Sequence, residues 1–214
     1  MDWHGWHDLY DIPDSPMAQR LKVVQDQIRF SLDNSPSGPL RIISICAGQG
    51  RDLLGVLPGH PRVEDVKALL VDLDERNTVS IHNSASDLGL SQVEVLTGDA
   101  SLTDNYAAMA PADIVLMCGV FGNITEEDIE RCVSTCTQLC KRGGRVIWTR
   151  HRRLPDRVPQ ICKWFEGHGF DEELSANNNP DFGIVTHRFS AETQPLIQSA
   201  SMFSFVGSEA LRDV

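Results

Sequence analysis

The chain has 214 residues, a length that favours one large domain, and 41% of them are hydrophobic, enough to bury a sizeable core. Its 30 acidic and 19 basic residues give a net charge of −11. Such a charge repels a nucleic-acid backbone or an anionic membrane surface, so we expect neither as a partner. No apolar run in the sequence approaches the length that spans a bilayer.

The cysteines and the first residues bear on the cellular compartment. None of the six cysteines forms a Cys-x-x-Cys pair, as is typical of free thiols in a reducing compartment. Cys132, Cys136 and Cys140 recur at helical spacing, which indicates a packed helical face and predicts no metal site. The first residues lack the basic stretch and apolar core of a secretory signal, so we predict a cytoplasmic protein.

The first predicted helix covers about residues 16–32. Ser15 followed by Pro16 is a typical helix start, and apolar residues then recur at helical spacing. A turn-rich linker follows, and residues 1–38 form the predicted N-terminal lid segment and helix.

Strands and helices then alternate along the chain. The predicted strands cover residues 40–46, 66–71, 93–96, 112–117 and 145–149, with two more near 170–175 and 183–189. The predicted helices begin at residue 51 and cover 75–87, 125–140 and 155–168. This alternation predicts a parallel sheet with helices on both faces. In the extension at residues 191–214, the apolar run 202–206 fits either one more strand or an arm packed on the core.

Three features follow the carboxyl ends of successive predicted strands, where an open α/β sheet binds its ligands. Gly48 and Gly50 allow a sharp turn and close approach of a ligand to the backbone. Asp72 ends the second strand and can accept both hydroxyls of a ribose. Asp99 follows the third strand and can accept from an adenine amino group. Alone, each feature also fits a tight turn or a helix cap.

In this order the three features resemble the class I S-adenosylmethionine (SAM)-dependent methyltransferases, from about Leu40 to Phe189. The resemblance implies a Rossmann-like, doubly wound, mostly parallel seven-stranded sheet (residues 39–190) with an antiparallel last strand and an N-terminal helical lid. It implies SAM as the cofactor and S-adenosylhomocysteine (SAH) as the product. The cofactor-binding positions that it implies are Ser44, Ala47, Gly48, Gly50, Asp72, Leu73, Asp99, Ala100 and Cys118.

Two positions depart from that family, and two rival functions stay open. Ser44 stands where the family usually has an acid that helps to hold the amino group of SAM, and Cys46 stands where it has a glycine. An NAD(P)-dependent oxidoreductase is less favoured, because Leu53 replaces a small residue and Asp52 would face the diphosphate. A catalytically silent SAM-fold binding or regulatory protein is the other alternative.

The acceptor side of the site is less defined, because methyl transfer requires alignment and needs a base only if the acceptor carries a proton. His151 at the end of the fifth strand is the base best placed by position. Arg150 and Arg152 suit a substrate carboxylate or phosphate, or else form a solvated basic turn. Phe121 either lines the pocket or belongs to the core.

The N-terminal segment holds the rival catalytic set. His7 and Tyr10 are alternative catalytic candidates, and Trp6 suits an aromatic or apolar substrate if this segment folds over the pocket as a lid. A loosely ordered terminus is the plainer interpretation. The sequence thus predicts a methyltransferase for a small molecule, anionic or aromatic, that works as a monomer or homodimer.

Overall fold

The computed structural model describes residues 10–12, 15–176 and 179–207, so the predictions for Trp6 and His7 lie outside the described residues. The strands are β1 (Leu40–Ile45), β2 (Val66–Asp72), β3 (Val93–Thr97), β4 (Ala112–Met117), β5 (Cys140–His151), β6 (Phe170–Ser175) and β7 (Phe182–Phe189). The α-helices are α1 (Pro16–Asp33), α2 (Arg51–Leu54), α3 (Glu75–Asp87), α4 (Glu126–Leu139) and α5 (Val158–Gly167). None of these helices is long and apolar enough to cross a membrane.

All seven strands form one sheet in the order β3-β2-β1-β4-β5-β7-β6. β7 runs antiparallel to both of its neighbours, and the pairs from β3 to β5 are parallel. The central strands are almost entirely buried, which explains their continuous apolar sequences. The Rossmann-like sheet with its antiparallel last strand is therefore confirmed. The winding reverses between β1 and β4, and this switch point opens a crevice at their carboxyl ends.

Helix α1 is an integral layer of the fold. It begins after Ser15, whose hydroxyl accepts the Ala18 N–H at 3.0 Å. Val24, Ile28 and Leu32 bury its apolar face. On the same face the Gln27 amide donates to the Ile184 carbonyl at 3.2 Å and accepts from the Thr186 hydroxyl at 2.8 Å. These contacts fix α1 on β7, so its first turn is held over the crevice.

Two element boundaries differ from the predicted ones. β5 begins at Cys140, which pairs with Ala112 before a bulge shifts the register, so Cys140 does not share a helical face with Cys132 and Cys136. Gly143 takes a φ of 83° within this bulge, which only glycine adopts without strain. Helix α5 begins at Val158 rather than at residue 155, and the Asp156 carboxylate just before the helix accepts the Val158 N–H at 2.9 Å.

The chain after β7 forms a packed arm rather than another strand. Ser201 makes one isolated bridge to Leu102, and Met202 and Phe203 are buried in the core. The N–H groups of residues 206 and 207 both donate to the Asn123 carbonyl, at 2.9 and 3.1 Å. Residues 206 and 207 therefore lie beside the loop that follows β4.

A substitution at Gly50 tests how closely the turn after β1 packs against its neighbours. Its φ is +67°, and a Cβ added there would lie 2.9 Å from a methyl of Leu70. Gly59 has a similar φ of +75° but open space around it, which makes it a matched control. We expect Gly59→Ala to cost about 1–2 kcal/mol for the left-handed backbone, and Gly50→Ala to cost about 1–3 kcal/mol more through overpacking. Urea unfolding measures both, and equal losses would contradict the close packing.

Candidate functional site

A cavity of about 920 Å³ opens at the carboxyl ends of β1, β2, β4 and β5. Its walls are the turn after β1, the end of β2, the loop after β4, the end of β5 and the first turns of α1. The segment before β7 and Phe205 of the C-terminal arm complete them. The volume lies in the range of about 300–1,000 Å³ that small-molecule sites occupy.

The turn after β1 forms the floor of this cavity. Cys46, Gly48 and Gly50 all have left-handed backbone, with φ of 54°, 56° and 67°. Gly50 closes the turn by donating its N–H to the Ala47 carbonyl at 2.9 Å. Cys46 thus holds the glycine-like conformation at the position where the sequence departs from the methyltransferase pattern, at a cost of about 1–2 kcal/mol. The backbone of the loop keeps the shape that the sequence pattern implies.

Asp72 joins this turn to the end of β2. One carboxylate oxygen accepts the Gly48 N–H at 2.7 Å, and the other accepts from the Asp74 N–H at 3.0 Å and the Asn77 amide at 3.1 Å. Burial raises the pKa of the Asp72 carboxyl, although the three hydrogen bonds oppose this shift. A carboxylate offers about four acceptor positions, so one remains for a ligand. Asp72 therefore organises the loop and still faces the cavity with acceptor capacity.

A buried arginine and a partly buried acid both line the cavity. Arg20 is only 6% exposed and donates to the Tyr10 hydroxyl, with its guanidinium 5.5 Å from the centre of the Phe182 ring. Burial raises the pKa of Asp52, while the hydrogen bond from the Leu53 N–H and the charge of Arg20 lower it. The cavity therefore holds both signs of charge close enough to act on each other.

An ion pair places the described N-terminal residues on the cavity rim. The Asp11 carboxylate lies 2.6 Å from Arg51, whose guanidinium carbon also lies 5.7 Å from the centre of the Tyr10 ring. The Arg51 hydrogen bond lowers the pKa of Asp11. Tyr10 therefore lies between Arg20 and Arg51 over the cavity.

Hydrogen bonds fix the loop after β4. The Gly119 N–H donates to the Thr149 hydroxyl of β5 at 2.9 Å, and the Asn123 amide donates to the Gly119 carbonyl at 2.8 Å. Cys118 lines the cavity beside them, and burial raises the pKa of its thiol. The thiol is therefore protonated at neutral pH and is no nucleophile.

His151 lines the cavity at the end of β5. Burial lowers its pKa to about 4, and the charges of Arg150 and Arg153 add to this effect. Its Nδ1 accepts the Arg153 N–H in a long hydrogen bond of 3.4 Å. His151 is thus uncharged at neutral pH, with one donor and one acceptor nitrogen, and its low pKa makes it a weak general base.

Two arginines flank His151 in the cavity wall. A terminal nitrogen of Arg150 donates to the Phe121 carbonyl, while its buried Nε has no hydrogen-bond partner among the described residues. Burial lowers the pKa of Arg150. Arg152 is paired with Asp156 at 2.8 Å.

The structure brings together most of the residues predicted from the sequence. The predicted residues that line the cavity are Tyr10, Ala47, Gly48, Asp72, Leu73, Cys118, Arg150, His151 and Arg152. Ser44, Gly50 and Ala100 are buried behind the wall. Ser44 and Ala100 pack inside the sheet and the core, and Gly50 caps α2.

Two predicted site residues, Asp99 and Phe121, lie outside the cavity wall. Asp99 is exposed, lies outside the cavity wall and accepts the Ser101 N–H at 2.9 Å, so it caps the following turn. Phe121 is fully buried, with its ring centre 5.6 Å from that of Trp148, so its ring belongs to the core, which is one of its two predicted roles. Its side chain fills the core under α4, and only its carbonyl reaches the site, through Arg150.

Sequence reasoning missed several wall residues. Asn77, which supports Asp72, follows it by five residues, and nothing in the pattern marks it. Phe182 and Phe205 come from chain segments that only tertiary folding brings to the cavity. The sequence does mark Arg20, because this charged residue interrupts the apolar face of α1. Gln27, which is also buried, interrupts the same face further along the helix. A charged residue at such a position indicates a buried partner or a ligand.

One group of metal-type ligands lies outside the cavity. Single ligand atoms of Cys162, Glu172 and His187 lie within 4.8 Å of one another. The Trp148 indole N–H donates to Nδ1 of His187 at 3.1 Å, so the neutral ring carries its proton on Nε2 and offers no lone pair to the group. Burial lowers the pKa of His187 to about 4 and raises that of Cys162 to about 12. A metal at this group would have to displace the hydrogen bond between Trp148 and His187. The absence of a metal site, expected from the sequence, stays a prediction.

NMR titration of His151 tests the electrostatics of the cavity. We expect its ring protons to titrate near pH 4, so that they do not shift between about pH 6 and 8. Arg153→Gln removes a nearby positive charge and should raise this pKa. A wild-type midpoint near the unperturbed value of about 6.5 would contradict the burial of this ring.

Comparisons with known proteins agree with this geometry. Residues 16–168 match the model of a family described as "Putative methyltransferase". The uncharacterized protein YnbC of Escherichia coli (strain K12) is 27% identical over 113 residues, which are 51% of this chain but only 19% of that protein. This chain therefore spans a small part of the length of that curated relative.

Two solved methyltransferases share the fold. The CurJ carbon methyltransferase superposes with a TM-score of 0.71 at 15% identity, over 89% of this chain and 59% of that chain. Magnesium protoporphyrin IX methyltransferase (ChlM) from Synechocystis PCC 6803, solved with bound SAM, gives 0.66 at 14% identity, over 86% and 89% of the two chains. The chain belongs to the methyltransferase family that its residues 16–168 match, and it has the class I SAM-dependent methyltransferase fold.

Proposed function

We propose that this protein is a SAM-dependent methyltransferase that acts on a small molecule. The observation that carries the proposal is Asp72, which ends β2 in the cavity wall and is hydrogen-bonded to the glycine turn at the switch point of the sheet. The methyltransferase family and the SAM bound to the Synechocystis enzyme support it.

The wall near β2 fits the adenosine part of SAM. Asp72 has acceptor capacity left for ribose hydroxyls, as its three protein hydrogen bonds leave one position open. Leu73 is 73% exposed and lines the same cavity, so its apolar surface suits the face of an adenine ring. These two neighbours support the predicted roles for the end of β2.

Asp52 suits the methionine amino group. Ser44, which replaces the usual acid, is buried behind the wall, whereas Asp52 opens α2 and lines the cavity near Arg20. A desolvated carboxylate gains from a cationic partner, and an ammonium group would bring its raised pKa back down. Arg20 supplies the matching positive charge for the methionine carboxylate.

When bound, SAM supplies a methyl group on a positively charged sulfur, which the acceptor displaces so that the bonding electron pair stays on sulfur and SAH results. The chain contributes alignment and exclusion of water. We place the acceptor between the N-terminal segment, seen here at Tyr10, and the loops after β4 and β5. His151 is uncharged at neutral pH and its low pKa makes it a weak base, so we expect an acceptor that needs no histidine base.

Each of the two rival functions predicts a different result from that of a SAM-dependent methyltransferase. A dinucleotide diphosphate would meet Asp52 in the first turn of α2, where a negative charge opposes it. Fluorescence titration with reduced nicotinamide cofactor tests that alternative. A silent binding protein would bind SAM without transferring a methyl group to any acceptor in a cell-extract screen.

Free thiols at every cysteine support a reducing compartment, consistent with a cytoplasmic location.

Calorimetry tests the cofactor assignment. SAM and SAH should both bind the folded chain with one-to-one stoichiometry. Asp72→Asn should weaken SAH binding by about 1–3 kcal/mol, because it loses charge-assisted hydrogen bonds. Asp87→Asn, at an exposed position at the end of α3, is the control and should leave affinity unchanged. Absence of binding at high micromolar ligand, with the protein folded, would refute the proposal.

A second titration tests Asp52. Methylthioadenosine shares the adenosine and sulfur of SAH but lacks its amino-acid part. Asp52→Asn should therefore weaken SAH binding about tenfold, equivalent to about 1.4 kcal/mol, and leave methylthioadenosine binding unchanged. Equal losses for the two ligands would mean that Asp52 acts on the fold of the cavity and not on the amino group.

A further inference from the structure

We propose that the acceptor half of the cavity binds a small organic anion, a carboxylate or phosphate monoester with an apolar or aromatic body. The binding surface is the basic wall, defined here as Arg150, Arg152 and Arg153 at the end of β5. This inference rests on the proposed function, since it assumes that the acids near β2 belong to the cofactor.

The charges of the cavity are divided between its two sides. Although the whole chain has a net charge of −11, five arginines and four aspartates line the cavity. Asp72, Asp74 and Asp52 lie at the ends of β2 and β1, on the cofactor side. The basic wall lies on the other side, where Asp181 is the one acid among the described lining residues. A positive wall in an acidic protein concentrates small anions there.

The basic wall is only partly neutralised by its neighbours. Arg152 is paired with Asp156 at 2.8 Å, and Glu126, whose charge acts on Arg150, is paired with Arg157 at 2.6 Å. No ion pair of Arg153 is found in the described part of the chain.

Arg150 adds a donor that lacks an acceptor. Its Nε is buried without a hydrogen-bond partner among the described residues, although one terminal nitrogen donates to the Phe121 carbonyl. A buried guanidinium N–H without an acceptor is unfavourable, and a bound anion would relieve this cost. The planar guanidinium suits carboxylate and phosphate oxygens alike.

The surroundings of the basic wall define the rest of the ligand. Phe182 and the 45% exposed Phe205 line the same cavity and offer apolar surface to a ring or short chain. His151 lies within the run of arginines, lines the same cavity and is uncharged at neutral pH. The combination of donors and aromatic faces favours an anionic molecule with an apolar body over a sugar or a cation.

Ligand-observed NMR on the full chain with saturating SAH tests this inference. Benzoate and phenyl phosphate are the anionic probes, and benzamide is the neutral control of the same shape. We expect the better anion to bind about tenfold more tightly than benzamide, as charge-assisted hydrogen bonds predict. Whichever of the two anions binds more tightly identifies the anionic group.

Two arginine variants test whether the preference for anions over benzamide comes from the basic wall. Arg153→Gln should weaken binding of that anion several-fold and leave benzamide unchanged. Arg142→Gln removes an exposed arginine that is paired with Glu192 outside the cavity, and it should have no effect. Equal affinity for anions and benzamide, no anion binding at millimolar concentration, or equal effects of the two variants would overturn the inference while SAH binding stands. Loss of SAH binding by the wild-type chain would instead overturn the proposed function, and this inference with it.

Discussion

The hydrogen bond from the Gly48 N–H to the Asp72 carboxylate fixes the geometry on which the site depends. It joins the turn after β1 to the end of β2, two parallel neighbours whose carboxyl ends meet at one edge of the sheet. Asp74 and Asn77 hold the other oxygen, so the carboxylate cannot rotate without breaking several bonds. The left-handed turn and the acid beside it form one unit, and the cavity exists because this unit holds the crevice open at the switch point.

The cavity built on this unit separates its charges. Acids lie near the glycine turn and arginines lie at the end of β5, and Arg20 and Tyr10 line the same cavity. Burial raises the pKa of Asp52 and lowers the pKa of His151. A cationic group is therefore favoured at one end and an anionic group at the other. Methyl transfer itself needs the acceptor atom, the methyl carbon and the sulfur held in line, and a base only if the acceptor carries a proton.

Much of this was predictable from the sequence, because buried parallel strands are continuous apolar runs and the polar residues that end them stand out. Gly48 and Asp72 were found in this way, and Cys46 adopts the backbone of the glycine that it replaces. Asp99 caps a turn, and its contact with adenine stays a prediction, because a carboxylate after a strand fits both roles and sequence alone does not separate them. Phe121 and Arg20 depend on packing between distant segments, as does the C-terminal arm that brings Phe205 to the cavity.

The central claim is that the cavity binds SAM through Asp72 at the end of β2. A crystal structure of the chain with SAH measures this most directly. It should place the ribose hydroxyls within hydrogen-bonding distance of the Asp72 carboxylate and the adenine over Leu73. The sulfur should point past Cys118 toward the basic wall. SAH bound elsewhere, or bound here with Asp72 making no contact to it, would contradict the account.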